Sequence, residues 1–325
     1  MENKTPDSPT PKVPWSVLHP VTQEDAAAVA AMRAAVAPMK GKAAGTAGRG
    51  SFNSIMERVA VPDGVLFEAA TVGGISGWWA KPAQSQEGAA VLHAHGGWFN
   101  WGTAQAYRNL VGQIALRAAA DAFIPDYRLA PEHPFPAAIQ DIEACYSQLV
   151  EMGFRKIAVT GDSAGGNLAL ALLSTASAQT SKGGIPPVGA VAISPVTDLA
   201  LAGESFDTRA EAEPYFTKSQ VAGLVRSYLG DTDPKNPLAS PLYGDLSGLP
   251  PIRVQVGDDE VLLDDSRRYV ERAVAAGVDA RLDVWMGMPH GFVTGVGRYN
   301  AANEALSAIG VFLKERIGST KLSRI

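Results

Sequence analysis

The chain has 325 residues, of which 46% are hydrophobic and 19% are charged, a composition typical of folded globular proteins rather than disordered or fibrous ones. Its formal net charge of −5, without any block of lysine and arginine, argues against a nucleic-acid partner. The single cysteine, Cys145, excludes an intrachain disulfide framework and a zinc cluster made of cysteines.

The N-terminal region is predicted to hold a tail and one helix. Residues 1 to about 14 are polar and proline-rich, without the apolar stretch of a signal peptide. No run of 18 apolar residues occurs in the sequence, so we expect no membrane span and a cytoplasmic location. A helix follows from the Thr22-x-x-Asp25 capping pattern, and residues 41–50 form a mobile glycine-rich link.

From residue 64 onward, strands alternate with helices. Two extended segments, 64–70 and 75–83, pair as a hairpin around Gly73-Gly74. Further strands are predicted at 89–95, 121–127, 156–160, 190–194, 251–257 and 280–285. Helices are predicted at 104–119, 135–153, 167–178, 264–277 and 300–317. This alternation predicts an α/β fold with a mostly parallel central sheet that is flanked by helices on both faces.

Residues 198 to about 245 interrupt the alternation with a helical stretch and a proline-rich return loop. Insertions of this kind on an α/β sheet commonly form a lid or a pocket wall. The predicted division of the chain therefore has four parts: an N-terminal tail and cap helix (1–55), a first part of the core (56–197), an inserted cap (198–245) and a second part of the core (246–325).

The pentapeptide GDSAG at 161–165 lies between a predicted strand and a predicted helix and matches the G-x-S-x-G pattern. Its glycines permit a turn sharp enough to lift the hydroxyl of Ser163 above the sheet. Ligands of open parallel sheets bind beyond the carboxyl ends of the strands, which is where this turn lies. Ser163 is therefore the candidate nucleophile.

A serine hydroxyl is inert at neutral pH unless a base takes its proton. His290 is the best candidate base, because it follows the last predicted strand and lies downstream of Ser163. An acid that orients the base should lie between them, and three carboxylates follow the preceding strand: Asp258, Asp259 and Glu260. Asp264 and Asp265 are assigned to capping of the next helix. The order serine, acid, histidine is that of α/β-hydrolases.

A stretch reading His95-Gly96-Gly97-Trp98 follows the strand at 89–95. Glycines let backbone N–H groups approach a substrate oxygen, and the N–H of Ala164 lies on the other side of the site. We expect the oxyanion hole to be formed by Gly97, Trp98 and Ala164, with Gly96 supporting the turn. A plain tight turn is the alternative interpretation of the two glycines.

Together these motifs resemble those of the hormone-sensitive-lipase-like esterases, the bacterial family IV of α/β-hydrolases, from about residue 60 to about 315. The resemblance rests on five strings: HGGWFNWG, PDYRLAPEHPFPAA, GDSAGG, SGLPPIRVQVGDDEVLLDDS and MPHGF. It implies that Ser163 is the nucleophile and His290 the general base. A gapless match of EVLLDD to the family's D-P-L-x-D-E pattern makes Glu260 the acid, and Asp259 takes this role if the loop holds one extra residue.

One position departs from the family's H-G-G-G pattern, because Trp98 replaces the last glycine. The donor there is a backbone N–H, which tryptophan can supply. Its ring is expected to narrow or wall the substrate site together with Phe99 and Trp101. Tyr215 and Phe216 of the insertion are further candidates for the pocket wall, and plain hydrophobic packing is the alternative for each.

The resemblance implies a serine carboxylesterase for small esters with short to medium acyl chains, without a metal or cofactor. His93 and His95 occupy positions that are structural in the family. A lactonase, amidase or acyltransferase with the same triad stays open, whereas a receptor that has lost catalysis is disfavoured because His290 is present. The family commonly forms homodimers through the sheet edge nearest the C-terminus, here the strand at 280–285.

Overall fold

A computed structural model describes residues 13–43 and 45–318, so nearly all of the predicted tail lies outside the described residues. The strands are β1 (Ser16–His19), β2 (Val65–Val72), β3 (Ile75–Pro82), β4 (Ala89–Ala94), β5 (Asp121–Pro125), β6 (Lys156–Asp162), β7 (Gly189–Ile193), β8 (Ile252–Asp259) and β9 (Ala280–Pro289). The helices are α1 (Gln23–Val36), α2 (Arg49–Met56), α3 (Ala104–Ala118), α4 (Ala137–Glu151), α5 (Ala164–Ala178), α6 (Ser205–Thr208), α7 (Lys218–Leu229), α8 (Leu263–Ala275) and α9 (Asn300–Gly318).

Within the described ranges the nine strands form one sheet in the order β1-β9-β8-β7-β6-β4-β5-β3-β2. The strands from β1 to β5 along this order are parallel. The hairpin β2–β3, which turns at Gly73-Gly74 as predicted, adds the antiparallel edge. The predicted α/β fold with a mostly parallel sheet is therefore confirmed.

The centre of the sheet is covered on both faces, which explains why its strands are mostly apolar rather than alternating. All six residues of β4 and all five of β7 are buried. One hydrophobic cluster packs α3 and α9 on one face, and a second packs α4, α5 and α8 on the other. None of the helices in the described part of the chain combines the length and apolar character needed to cross a membrane.

Strand β1 was not predicted from the sequence. Its residues pair in parallel with 282–285 of β9, and the ring of His19 stacks on Trp285 with centroids 3.9 Å apart. Four partly exposed residues contain too few positions for a periodic pattern, so this strand depends on contacts far away in sequence. Because β1 covers β9, the prediction that 280–285 is the edge of the sheet is wrong.

Within the glycine-rich segment 41–50, which the sequence predicted to be a link, residues 45–50 are helical. Residues Gly45–Gly48 form a 3-10 helix, and α2 begins at Arg49. The Arg49 guanidinium donates hydrogen bonds to the carbonyl oxygens of Asn100 and Ala130. The Trp101 indole N–H donates to Gly45 O at 2.7 Å. These contacts, which no local pattern reveals, hold α2 against the loop after β4.

The insertion at 198–245 is helical as predicted and contains α6 and α7. Helix α7 begins with a capping box between Thr217 and Gln220. Its Tyr228 stacks on Phe99 with ring centroids 3.8 Å apart. This stacking packs α7 on the loop that follows β4, next to the carboxyl ends of the strands.

The two aspartates assigned as caps of α8 have different partners. The Asp265 carboxylate accepts hydrogen bonds from the backbone N–H groups of Thr197 and Asp198, at 2.7 and 2.9 Å. Asp264 accepts from the N–H of Ser205. Burial raises the pKa of Asp265 to about 7. The capping prediction is therefore wrong, because both side chains fasten the start of the insertion to α8.

Candidate active site

Ser163 lies in a tight turn between β6 and α5, with φ 54° and ψ −118°, where residues with a Cβ are strained. A Cβ at Gly161 would overlap the carbonyl of Gly165, and a Cβ at Gly165 would overlap the carbonyl of Ala94. The turn therefore requires glycine on both sides of the serine. This geometry confirms the predicted strand–turn–helix context of the motif.

The backbone of Ser163 is held firmly while its hydroxyl is left free. Its N–H donates to Ile193 O at 2.8 Å, and its carbonyl accepts from the N–H groups of Asn167 and Val196. The side chain is buried, yet Oγ has no hydrogen-bond partner among the residues that the structure describes. Both Ser163 and His290 line one cavity, so the candidate nucleophile and the candidate base border the same space.

His290 follows β9 and contacts a buried carboxylate. Its Nδ1 lies 3.1 Å from Oε1 of Glu260, and Phe216 packs edge-on to its ring with centroids 5.5 Å apart. Burial lowers the pKa of His290, but the negative charges of Glu260, Glu213 and Asp162 outweigh it, so the net pKa lies above the ordinary histidine value. The imidazolium form is thus stabilised by its surroundings.

Glu260 is completely buried and uses both carboxylate oxygens. While Oε1 contacts His290, Oε2 accepts hydrogen bonds from Ser194 Oγ at 2.7 Å and from the Gly257 N–H at 3.1 Å. The register between β8 and β9 shifts just before it, between Gly257 and Asp259. The two hydrogen bonds on Oε2 hold the carboxylate in place beside the histidine.

The two preceding carboxylates have other partners. Asp259 Oδ2 lies 2.7 Å from Nη2 of Arg33 in α1, and both side chains are about one quarter exposed. Asp258 accepts a hydrogen bond from the N–H of Gly287. Of the three carboxylates that the sequence offered, Glu260 is therefore the one in contact with His290.

The loop after β4 has an unusual backbone, with φ 118° at Gly97 and 52° at Trp98. The Gly96 N–H donates to Asp162 Oδ1 at 3.0 Å, and Asp162 Oδ2 accepts from the Tyr107 hydroxyl. Within the described residues, the N–H groups of Gly97, Trp98 and Ala164 donate no hydrogen bond. Asp162 thus ties this loop to the serine turn and leaves three donors unoccupied.

The cavity beside Ser163 and His290 measures about 590 Å³ and is mostly apolar. Its walls come from the N-terminal helices, the loop after β4 and the segment before α7, and they include Val36, Met39, Phe52, Ile55, Met56, Trp98, Trp101, Tyr215 and Phe216. The predicted wall positions Trp98, Trp101, Tyr215 and Phe216 are therefore confirmed. The expectation for Phe99 is wrong, because it is not one of the residues that line the cavity and its ring stacks on Tyr228 of α7 instead.

His93 and His95 are completely buried and have short-range partners. Nδ1 of His93 lies 2.9 Å from Thr160 Oγ1, and Nδ1 of His95 lies 2.8 Å from Gly96 O. The His95 ring also stacks on Tyr127 with centroids 4.2 Å apart. Burial lowers the pKa of His95, which keeps its imidazole neutral and packed beneath the Gly96–Gly97 turn.

Comparison with known proteins agrees with this geometry. A family model described as an α/β hydrolase fold matches residues 91–294. An esterase structure from the bacterial hormone-sensitive lipase family superimposes with a TM-score of 0.83 and 36% identity, covering 91% of this chain and 99% of that one. The chain belongs to the hormone-sensitive-lipase-like esterases of the α/β-hydrolase fold.

Curated relatives support the same assignment. The acetyl-hydrolase of Streptomyces hygroscopicus is 38% identical over 260 residues, which cover 79% of this chain and 85% of that protein. An esterase of Acinetobacter venetianus is 36% identical over 233 residues, which cover 71% and 76%. This family member is accordingly a carboxylic-ester hydrolase.

Three polar residues around the site of this esterase were missed by sequence reasoning: Ser194, Glu213 and Arg33. Ser194 directly follows β7, and its hydroxyl supports Glu260 from a backbone with φ 46°. A polar residue directly after a buried strand is a signal that could have drawn attention to it. Glu213 and Arg33 lie far from every motif, so only the folded chain reveals their proximity to the site.

Proposed function

We propose that this esterase hydrolyses esters of short to medium acyl chains through an acyl-enzyme, with Ser163 as nucleophile, His290 as general base and Glu260 as the orienting acid. The observation that carries this proposal is the buried contact of 3.1 Å between Glu260 and His290, beside a cavity that Ser163 also lines. A serine hydroxyl and a base that line one cavity, with a buried acid in contact with the base, match the needs of acyl transfer.

In the first half of the reaction, Ser163 Oγ attacks the ester carbonyl while His290 Nε2 takes the hydroxyl proton. Glu260 accepts the Nδ1–H and stabilises the imidazolium that forms. The tetrahedral intermediate then collapses, and the leaving alcohol takes the proton from His290. In the second half, water attacks the acyl-enzyme with His290 again acting as base, and the acid product and free Ser163 result.

The oxyanion of the tetrahedral intermediate would be held by the N–H groups of Gly97, Trp98 and Ala164. Their lack of other acceptors among the described residues supports this role. The N–H of Ala164 also lies at the N-terminus of α5, whose dipole favours negative charge. Loss of one such donor typically costs about 3 kcal/mol of transition-state stabilisation. Gly96, whose N–H is bound to Asp162, would support the loop instead.

We further propose that segments 1–55 and 198–245 act as a cap over core segments 56–197 and 246–325. Support comes from the cavity walls, since α1, α2 and residues 214–216 border the same space as Ser163.

A homodimer built through the edge of the sheet beside β9 would pair β1 strands rather than β9 strands, because β1 forms that edge.

The substrate range can be tested with p-nitrophenyl esters of acetate, butyrate, octanoate and palmitate. A bounded apolar cavity predicts the highest kcat/KM among the first three and a loss of at least about 10-fold for palmitate. Lactones and anilides measured in parallel should react more slowly than the best ester. A higher kcat/KM for a lactone or an amide would favour those activities over the proposed one.

Trp98→Gly is expected to shift the acyl-length profile. Removing the indole enlarges the cavity, and glycine adopts φ 52° without strain. We expect kcat/KM for octanoate to rise about 10-fold relative to acetate. Phe99→Leu is the matched control, because its ring packs on α7 and its loss should change stability but not the profile. An unchanged profile in Trp98→Gly would remove the ring from the acyl site.

A further inference from the structure

The mechanism above leaves one buried carboxylate near His290 without a role. Glu213 lies in the insertion before α7 and is completely buried. Within the described part of the chain it forms no ion pair with an arginine or lysine, and its hydrogen-bond partners are backbone N–H groups. Burying a carboxylate in this way is costly, so its position calls for an explanation.

The two oxygens of Glu213 connect the pocket wall to the acid-bearing turn. Oε1 accepts hydrogen bonds from the N–H groups of Tyr215 at 2.8 Å and Phe216 at 3.4 Å. Oε2 accepts from the N–H of Val261, the residue after Glu260, at 3.3 Å. One side chain therefore holds two wall residues and the backbone beside the proposed catalytic acid.

Phe216 extends this connection to the base, because its ring packs edge-on to His290. The charges of Glu213 and His290 also interact: burial raises the pKa of Glu213 above the ordinary glutamate value, and the positive charge of His290 only partly opposes this shift. In return, the charge of Glu213 raises the pKa of His290. The charge of His290 therefore interacts with two carboxylates, of which Glu260 is in contact with its ring.

We propose that Glu213 is a positioning residue of the esterase site: it anchors the Tyr215–Phe216 wall to the turn that carries Glu260, and its charge stabilises the imidazolium of His290 during acyl transfer. This inference rests on the proposed function and adds to it a residue supplied by the insertion. A single side chain thereby links the wall of the substrate pocket to the histidine and acid that handle the proton.

Other charged and titratable groups surround Glu213 and His290. They are Glu260 after β8, Asp162 at the serine turn and Tyr215 before α7. The ion pair between Arg33 of α1 and Asp259 also lies there. The Arg33 guanidinium also donates to the carbonyl of Ala212, directly before Glu213. Because Arg33 and Asp259 neutralise each other, changing Glu213 alters the net charge facing His290 by one.

Glu213→Gln tests the proposal, since it keeps the size of the side chain, removes its charge and replaces one of its two acceptor oxygens by an N–H₂ donor. With p-nitrophenyl butyrate, kcat/KM should be measured from pH 5 to 9, with active sites counted by titration with an organophosphate. A weaker negative field lowers the pKa of His290, so the acid limb should move about 0.5 pH unit or more to lower pH. Plateau kcat should fall about 5-fold, because the imidazolium is less stabilised.

Glu211→Gln is the matched control, because this neighbour carries the same charge on an exposed side chain. It should leave the acid limb and kcat at their wild-type values. An acid limb in Glu213→Gln that coincides with the wild-type limb would overturn the charge role. An inactive wild-type enzyme would instead overturn the proposed function, so the two failures are distinguishable.

Glu213→Asp separates anchoring from charge and can be measured even if the glutamine variant does not fold. Aspartate keeps the charge but is one methylene too short to bridge the wall and the turn. We expect an acid limb at its wild-type position and KM raised at least about 3-fold. A Glu213→Asp enzyme with wild-type KM and kcat would overturn the anchoring role.

Discussion

Ser163→Ala is expected to lower kcat for p-nitrophenyl butyrate by at least about 10⁴-fold, because no other group in the site supplies the attacking oxygen. The variant should fold normally. Ser163 Oγ has no hydrogen-bond partner among the described residues, so its removal breaks no bond of the native state. Measuring kcat together with the thermal midpoint separates loss of chemistry from loss of structure.

A matched control for this prediction is a serine of α5, the helix that follows Ser163. Ser174 in α5 is partly exposed, and its hydroxyl donates only to the Leu170 carbonyl one turn earlier. Ser174→Ala should therefore retain wild-type kcat. Organophosphate labelling should attach one group per chain to the wild type and none to Ser163→Ala. Substantial turnover in Ser163→Ala would remove this serine from the mechanism.

Glu260→Gln is expected to lower kcat about 10³-fold or more. The wild-type carboxylate accepts bonds on both oxygens, whereas glutamine offers one acceptor and one N–H₂ donor. If the N–H₂ faces His290, it donates to Nδ1 and leaves the proton on Nε2, where the base is needed. If it faces the other way, it meets the N–H of Gly257, which is also a donor.

Asp259→Asn provides the comparison that decides between the two acids. Asp259 pairs with Arg33 at 2.7 Å while both side chains are partly exposed, and such pairs typically contribute about 0.2–1 kcal/mol to stability. We expect kcat within about 3-fold of wild type and at most a small drop in the thermal midpoint. A ranking in which Asp259→Asn is the more damaging change would transfer the acid's role to Asp259.

Much of the fold follows from local patterns in the sequence. The buried strand β4 begins with a run of four apolar residues, and the turn at Gly73-Gly74 pairs the two extended segments on either side. Strand β1 escaped this reasoning because four residues carry too little pattern and their pairing partner lies more than 260 positions away. The helical start at Arg49 was missed for the same reason, since distant contacts hold it.

The aspartates at the start of α8 show how tertiary contacts override a local rule. Acidic residues in a first helical turn usually interact with the helix N-terminus, which made capping the natural expectation. In the folded chain these carboxylates instead accept hydrogen bonds from the N–H groups of Thr197, Asp198 and Ser205. A sequence pattern cannot show this competition, because the competing donors lie about 60 to 70 positions away.

The sequence by itself determined the chemistry that this esterase is built for. The G-x-S-x-G pattern around Ser163 lies within five consecutive residues, so the motif can be recognised from the sequence without the fold. Only the tertiary structure decided which of two adjacent carboxylates contacts His290, because the partners of Glu260 and Asp259, His290 and Arg33, are both distant in sequence. It also brought Glu213 within hydrogen-bonding distance of Val261, 48 positions away, since contacts over such separations arise from packing rather than from local patterns.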